Sequence, residues 1–279
     1  MSRPNLLLCF DAFGTLFRPK RSVAQQYGEV ARQCGLVGFS DDKLQACLKA
    51  AFKDEAKRNP NYGKATGLGA TMWWTNVIHK TFTPLLAKDQ PLPEDLAPRL
   101  LHRFSSRDGY DAEPNLVSAL KALKRQTAHQ RFDKIIVGVI TNSDDRVPDV
   151  LSSFGVNSFD IDFHCMSYDV GVEKPEKLIF SAAEGMLSKI IAVREGKTPA
   201  EGGSDVGAWQ KVYVGDEYAK DVVGAANAGW NPVLLDSEGN TADVPMLKEC
   251  DDTLTGLFKK HRVVKVHSIQ DLVSWLMRE

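Results

Sequence analysis

The sequence predicts an α/β protein: an open parallel sheet covered by helices, with an all-helical module inserted after the first strand. Three observations carry this. Short, almost wholly apolar runs recur at Leu6–Phe10, Ile135–Ile140, Val212–Val214, Val233–Leu235 and Val263–Val266. Runs that do not alternate suit parallel strands buried on both faces. Helical patterns lie between them, as right-handed crossovers require. The segment 19–106 contains no such run.

The first run ends on Asp11 and is followed almost at once by Gly14-Thr15. Val23, Tyr27, Val30 and Cys34 then share a helix face that stops at Gly35. Asp42, Leu44, Leu48 and Phe52 predict a second helix with an acidic start. Thr71–Phe82 and Glu94–Phe104 predict a third and a fourth. Pro114 opens a helix with Leu116, Leu120 and Leu123 on one face, Val147–Phe154 forms another closed by Gly155, and Ala219–Ala228 a further one ending before Gly229. The polar, glycine-rich stretch Glu195–Ala208 reads as a mobile surface loop. The expected domains are 1–18 with 107–279 for the sheet and 19–106 for the helical module.

With 43% hydrophobic and 25% charged residues in 279, the chain can bury a sizeable core. Lysine and arginine total 35 against 36 acids, so no nucleic-acid partner is expected. Short runs such as Lys57-Arg58 and Lys259-Lys260-His261-Arg262 read as solvated faces. Cys9, Cys34, Cys47, Cys165 and Cys250 are scattered and never form a CxxC pair, which fits reduced thiols and argues against a disulfide framework or structural zinc. Cys9, inside an apolar strand, is expected to be inert. No run approaches the roughly 20 apolar residues of a spanning helix, and no leader pattern opens the chain. The expectation is a soluble intracellular protein without a membrane partner, in cytoplasm or nucleus. Gly67-Leu68-Gly69 lacks the third glycine and the strand–helix setting of a dinucleotide site, and neither GxxxxGK[ST] nor HExxH occurs.

Four pieces with chemical potential fall at strand ends or in loops: Asp11, Thr141-Asn142-Ser143, Lys174 before Pro175, and Asp216 with Asp221. Each has a use if the ligand is a phosphate. A carboxylate can attack phosphorus and split one hard displacement into two easier ones. The Thr141 hydroxyl, with main-chain amides of Asn142 and Ser143 at the start of a helix, can hold phosphate oxygens. The Lys174 ammonium offsets repulsion between an anionic nucleophile and an anionic substrate. Asp216 with Asp11 offers the hard oxygen ligands that Mg²⁺ prefers. Singly each is weak, since an Asp after a strand commonly serves as a turn or helix cap. In this order, together, they are specific.

The set resembles the haloacid dehalogenase-like (HAD) hydrolases. Asp11-Ala12-Phe13-Gly14-Thr15-Leu16 is similar to that family's DxDGT(L/V) motif, Thr141 to its second motif, Lys174 to its third, and Gly215-Asp216 through Asp221 to its GDxxxxD motif. The resemblance implies a Rossmann-like three-layer core with 19–106 as a helical cap. It implies Asp11 as nucleophile, Thr141, Asn142, Ser143 and Lys174 as phosphate-binding residues, and Mg²⁺ held by Asp11, the Phe13 carbonyl, Asp216 and Asp221. Trp73-Trp74 after Pro60-Asn61-Tyr62-Gly63 looks like the branch of the rhythmically expressed gene 2 and HAD-domain-containing 3 proteins.

The departure is Phe13. In the family's phosphatases an acid at that place protonates the leaving group, and a phenyl ring cannot. Three readings follow: a Mg²⁺-dependent phosphohydrolase acting on a small phosphorylated molecule, a phosphoryl-ligand binder that has lost turnover, and a metal-independent 2-haloacid dehalogenase. The third resembles the motif in having an aromatic at this place but does not keep the GDxxxxD acids. A substitute acid could come from substrate, from Glu217 or from the cap, where Tyr62, Lys64, Trp73, Trp74 and His79 are candidates to face the cleft. Adjacent helix positions point about 100° apart, so one tryptophan is expected to pack inside the module.

Overall fold

A computed structural model of the chain describes residues 3–125, 131–196, 198, 206–247 and 253–277. Six strands form one parallel sheet: β1 (Leu6–Phe10), β4 (Ile135–Thr141), β5 (Phe163–Met166), β6 (Gln210–Gly215), β7 (Asn231–Leu235) and β8 (Val264–Val266), in the order β5-β4-β1-β6-β7-β8. β2 (Phe17–Pro19) and β3 (Tyr110–Ala112) make a separate two-stranded sheet. The five predicted runs are all strands. β5 is an addition, and its Phe-His-Cys-Met is too short and too mixed to announce itself.

β1 lies between β4 and β6, with Phe10 paired to Val139 on one side and Val214 on the other. The chain moves from β1 to β4 and β5, then returns to β6, β7 and β8 across β1. The carboxyl ends of β1, β4 and β6 therefore meet at a topological switch point, where open α/β sheets bind ligands. Asp11 continues β1 in register, its amide donating to the Val214 carbonyl at 2.8 Å.

Both faces of β1 are buried. Leu7 and Cys9 join a cluster with Ile179, Phe180, Ala183 and Leu187 of the 19-residue helix Lys177–Glu195. By strand alternation Leu6, Leu8 and Phe10 face the other way, the side expected for Leu116–Lys124 and Ile269–Leu276, which pack on each other. The long helix went unassigned in the sequence because it follows directly on Lys174-Pro175-Glu176, which reads as loop. Its buried residues at 179, 180, 183, 187 and 191 nevertheless keep helical spacing. The Cys9 thiol is fully buried, and burial followed by the neighbouring Cys165 pushes its pKa well up, as expected of an inert core residue. Most of the expected loop Glu195–Ala208, and Cys250, lie outside the described residues. Among the described residues no helix is long and apolar enough to cross a membrane.

By contacts the chain divides into two units: 1–18, 112–142 and 154–279 in the first, 19–111 and 143–153 in the second. The second unit thus extends a few residues past 106 and takes in the helix Val147–Ser153. It contains the four helices expected from the sequence, at Val23–Gln33, Asp41–Arg58, Gly69–Phe82 and Leu96–Arg103. Ser22 and Gln25 close a reciprocal capping box on the first. Asp41 and Asp42 begin the second, which ends on Lys57 and Arg58. Tyr27 stacks on Phe82 at 6.2 Å and packs against Phe104 at 5.4 Å in this unit's core.

Candidate active site

Asp11, one residue beyond β1, is only 8% exposed. Its Oδ1 accepts from the Ala12 amide at 2.8 Å and lies 2.9 Å from the Lys174 ammonium. Lys174 is 3% exposed, and its Nζ donates to Asp221 Oδ1 at 2.7 Å and to the Tyr213 hydroxyl at 2.7 Å. Burial pulls its pKa down, but Asp11 and then Asp221 outweigh that and hold it above the ordinary lysine value. Lys174 is thus a cation between two carboxylates.

Two glycines make this closeness possible. Gly14 adopts φ of +80°, and a Cβ on it would lie 2.2 Å from Asp216 Oδ2. A Cβ on Gly215 would lie 2.2 Å from Asp221 Oδ2. Only residues without a side chain allow those two acids to close on the turn after β1 and on the end of β6. Asp221 arrives there in a π-helical turn, Tyr218–Val222, ahead of the helix Val223–Asn227. Such turns re-aim side chains where an uninterrupted helix would not.

Carboxylate oxygens of Asp11, Asp216 and Asp221 lie within 4.8 Å of one another. Asp216 is open to solvent on one side, yet desolvation and the Asp11 charge raise its pKa, against the Thr15 hydroxyl bonded to its Oδ1 at 3.1 Å. For Asp221, 1% exposed, burial raises the pKa to about 6; Asp11 adds to the rise and Lys174 opposes it. Three acids against one ammonium leave net negative charge, which a small divalent cation would match. Asp221 has both oxygens committed, Oδ1 to Lys174 and Oδ2 to the Glu217 amide at 2.9 Å. Asp11 and Asp216 are therefore the better direct donors to a cation, with Asp221 behind them.

Thr141 is the buried last residue of β4. The side chain of Asn142 has a task the sequence did not announce. It donates to the Lys174 carbonyl at 3.0 Å and accepts from the Lys174 amide at 2.7 Å, clamping the backbone that carries the lysine. Ser143 is buried and falls in the second unit. The following helix begins only at Val147, so the amides of Asn142 and Ser143 precede it rather than form its N-terminus.

Phe13 is half-buried, its ring edge-on to Phe17 at 4.8 Å and 70°. The Glu217 carboxylate is half-exposed and paired with Lys220 at 2.9 Å. A cavity of about 450 Å³ adjoins Asp216 and Gly14, bounded also by Arg18, Tyr218 and Asn240, and neither Asp11 nor Thr141 lines it.

In the second unit Trp73 is buried, donating to the Asn59 carbonyl at 2.9 Å, so one tryptophan packs inside as expected. Trp74 donates to Asp144 Oδ2 at 2.8 Å and lies under the Arg146 guanidinium, 4.3 Å from the ring centre. Arg146 in turn grips Asp144 with two bonds of 2.8 Å. Tyr62, held at φ of +57°, sits edge-on to Trp73 at 5.2 Å. Lys64 and His79 are exposed. Tyr213 and the clamp from Asn142 had gone unsuspected in the sequence, and their only trace there is proximity to a motif.

The sequence model of the haloacid dehalogenase-like hydrolases matches residues 6–229. An uncharacterized hydrolase of Schizosaccharomyces pombe is 33% identical over 84% of this chain and 92% of its own. The haloacid dehalogenase-like hydrolase domain-containing protein 3 of Danio rerio is 29% identical over 88% and 92%, and the rhythmically expressed gene 2 protein of Drosophila melanogaster 25% over 82% of each. Among solved structures, a 2-haloacid dehalogenase from Pseudomonas syringae superposes with a TM-score of 0.56 at 18% identity, covering 97% of each chain. A HAD phosphatase from Thermococcus onnurineus gives 0.53 at 19% identity, with the same coverage. The structural likenesses carry the fold and leave the reaction to the residues of the site.

Proposed function

The chain belongs to the haloacid dehalogenase-like hydrolase family, and from that premise we propose that it is a Mg²⁺-dependent phosphohydrolase working through an acyl phosphate on Asp11. The observation that carries this is the acid cluster: Asp216 and Asp221 stand with Asp11 around a single lysine. Displacing halide from carbon has no use for such a cation site, whereas a phosphoryl group needs one.

In this reading Asp11 attacks phosphorus, and the bond from phosphorus to the leaving oxygen breaks. The Thr141 hydroxyl holds a phosphate oxygen. Asp11, Asp216 and the Phe13 carbonyl would hold Mg²⁺, with Asp221 behind them, and the bound cation would offset the charge of the anionic substrate and nucleophile. Water then attacks the phosphorus of the acyl phosphate, releasing inorganic phosphate and restoring the Asp11 carboxylate. Phe13 offers no proton to the leaving oxygen, and Glu217 is engaged by Lys220 at the surface. The departing group therefore takes its proton from solvent, which favours substrates whose leaving group is a stable anion, such as acyl and aryl phosphates. The helices of 19–106 serve as the cap that selects among them.

The test is phosphate release from a panel running from acyl and aryl phosphates to sugar and nucleotide monophosphates, with Mg²⁺ and with chelator, beside Asp11→Asn. Turnover that needs Mg²⁺, vanishes in Asp11→Asn and falls as the leaving-group pKa rises is the expected result. The phenyl ring at 13 favours one other reading, a phosphoryl-ligand binder without turnover. It would prevail if no substrate exceeds the Asp11→Asn background while phosphate analogues still bind with Mg²⁺.

A further inference from the structure

An ammonium has three N–H bonds, and for Lys174 the structure supplies three acceptors inside the protein. Two are carboxylates, Asp11 Oδ1 at 2.9 Å and Asp221 Oδ1 at 2.7 Å; the third is the Tyr213 hydroxyl at 2.7 Å. Tyr213 stands on β6 and is 1% exposed.

A phenol has one proton to give. The Tyr213 oxygen lies 2.7 Å from the Ile140 carbonyl and 3.5 Å from Asp221 Oδ1, both of which can only accept, so the proton goes to the nearer, Ile140. Toward Lys174 the oxygen can then only present a lone pair, and the ammonium must donate. The direction of both bonds is thereby set. Phe180 packs edge-on against the Tyr213 ring at 5.2 Å and fixes its place. Ile140 immediately precedes Thr141 in β4, so one hydroxyl ties the end of that strand to the ammonium that grips Asp11.

We infer that Tyr213 is a positioning residue for the nucleophile, resting on the reading of Asp11 given above. Asp221 is the more buried acid and the nearer to the lysine, so a lysine with only the two carboxylates would be drawn towards it. The third acceptor holds the flexible four-carbon side chain in between. Lys174 and the Ala12 amide then both engage Asp11 Oδ1 and so fix the plane of the carboxylate, while Oδ2 receives neither. Lys174 also has no N–H to spare for a substrate oxygen in this arrangement, so it acts on phosphate by charge and through Asp11.

Tyr213→Phe tests this, since it removes one oxygen and keeps the ring in its packing. Two measurements on the full chain are needed. The first is the ¹⁵N-edited NMR signal of the Lys174 ammonium, assigned by its loss in Lys174→Arg. It is visible when all three N–H bonds are held within the protein and broadens as they exchange with water. The second is kcat and KM on the best substrate of the panel. In Tyr213→Phe the ammonium signal should broaden or vanish, and kcat should fall about 10–100-fold with KM within about threefold, the scale of a nucleophile misplaced by a fraction of an ångström. A variant that loses thermal stability but keeps the signal and kcat would overturn the inference and leave Tyr213 a packing residue. Wild-type protein without turnover would count against the phosphohydrolase alone. The signal then decides by itself, its loss in Tyr213→Phe upholding the tether and its persistence overturning it. Should Phe at 213 prevent folding, 3-fluorotyrosine, which keeps the hydroxyl but weakens it as an acceptor, is read in the same way.

Discussion

Lys174→Met removes a charge while keeping the length and most of the volume of the side chain. Asp11, 8% exposed, and Asp221, 1% exposed, would then face each other with no cation between them. Breaking a buried ion pair by deleting one partner costs about 3–5 kcal/mol, or roughly 6–20 °C of melting temperature for a chain of this size. The loss must depend on pH in a definite sense. With the lysine present, Asp221 already has its pKa raised to about 6, and without it the value rises further. A carboxyl whose pKa is higher folded than unfolded destabilises the fold above its unfolded pKa, and this penalty fades as pH falls through the folded value. The variant should therefore melt well below wild type at pH 7.5, with the gap narrowing towards pH 5. Saturating Mg²⁺ at pH 7.5 should recover part of the loss, because a bound cation replaces the missing charge. Thermal melts of both proteins across pH, with and without Mg²⁺, make the measurement. A loss below about 1 kcal/mol at pH 7.5, or a gap that does not narrow on acidification, would refute the buried-pair reasoning.

Other perturbations address separate features. Phe13→Asp supplies the absent acid and should raise turnover of alkyl phosphates, the poor leaving groups, about 10²–10⁴-fold in Mg²⁺, at a cost of about 1 kcal/mol or more from the lost contact with Phe17; unchanged rates would place the limitation elsewhere. Gly215→Ala puts a methyl where Asp221 Oδ2 lies and should weaken binding of Mn²⁺, used as a paramagnetic stand-in for Mg²⁺, at least tenfold by titration, an estimate on the order of one lost charge contact. His164 is half-buried, its buried Nε2 is unpartnered among the described residues, and desolvation lowers its pKa. Wild type should thus lose stability as pH falls below the unfolded histidine value of about 6.5, and His164→Gln should lose less, a difference that equal melting profiles would rule out. Trp74→Phe deletes the bond to Asp144 and thins the stack under Arg146, and should cost about 1–2 kcal/mol in a denaturant titration.

Much of this protein is legible from local pattern. Residues 6–10 are apolar without alternation because both faces of β1 are covered, and that covering is what a parallel sheet with crossover helices imposes. Asp11, Thr141 and Asp216 could be picked out because they end such runs, and the sheet topology brings those ends together at one edge. The helices of 19–106 were visible because each buries one face at helical spacing.

Tertiary structure alone decided the partnerships. That Asn142 clamps the Lys174 backbone, that Lys174 spends all three of its N–H bonds inside the protein, and that Tyr213 supplies the third acceptor all depend on residues far apart in the chain. Such pairings leave no periodicity, because a side-chain hydrogen bond is fixed by distance and direction in the folded state and not by spacing along the backbone. β5 and the helix Lys177–Glu195 escaped for related reasons, one being four residues of mixed character that only pairing with β4 makes a strand, the other opening against a proline loop. Local periodicity named the strands and the acids at their ends; the register of β1 between β4 and β6 determined which of those groups can touch.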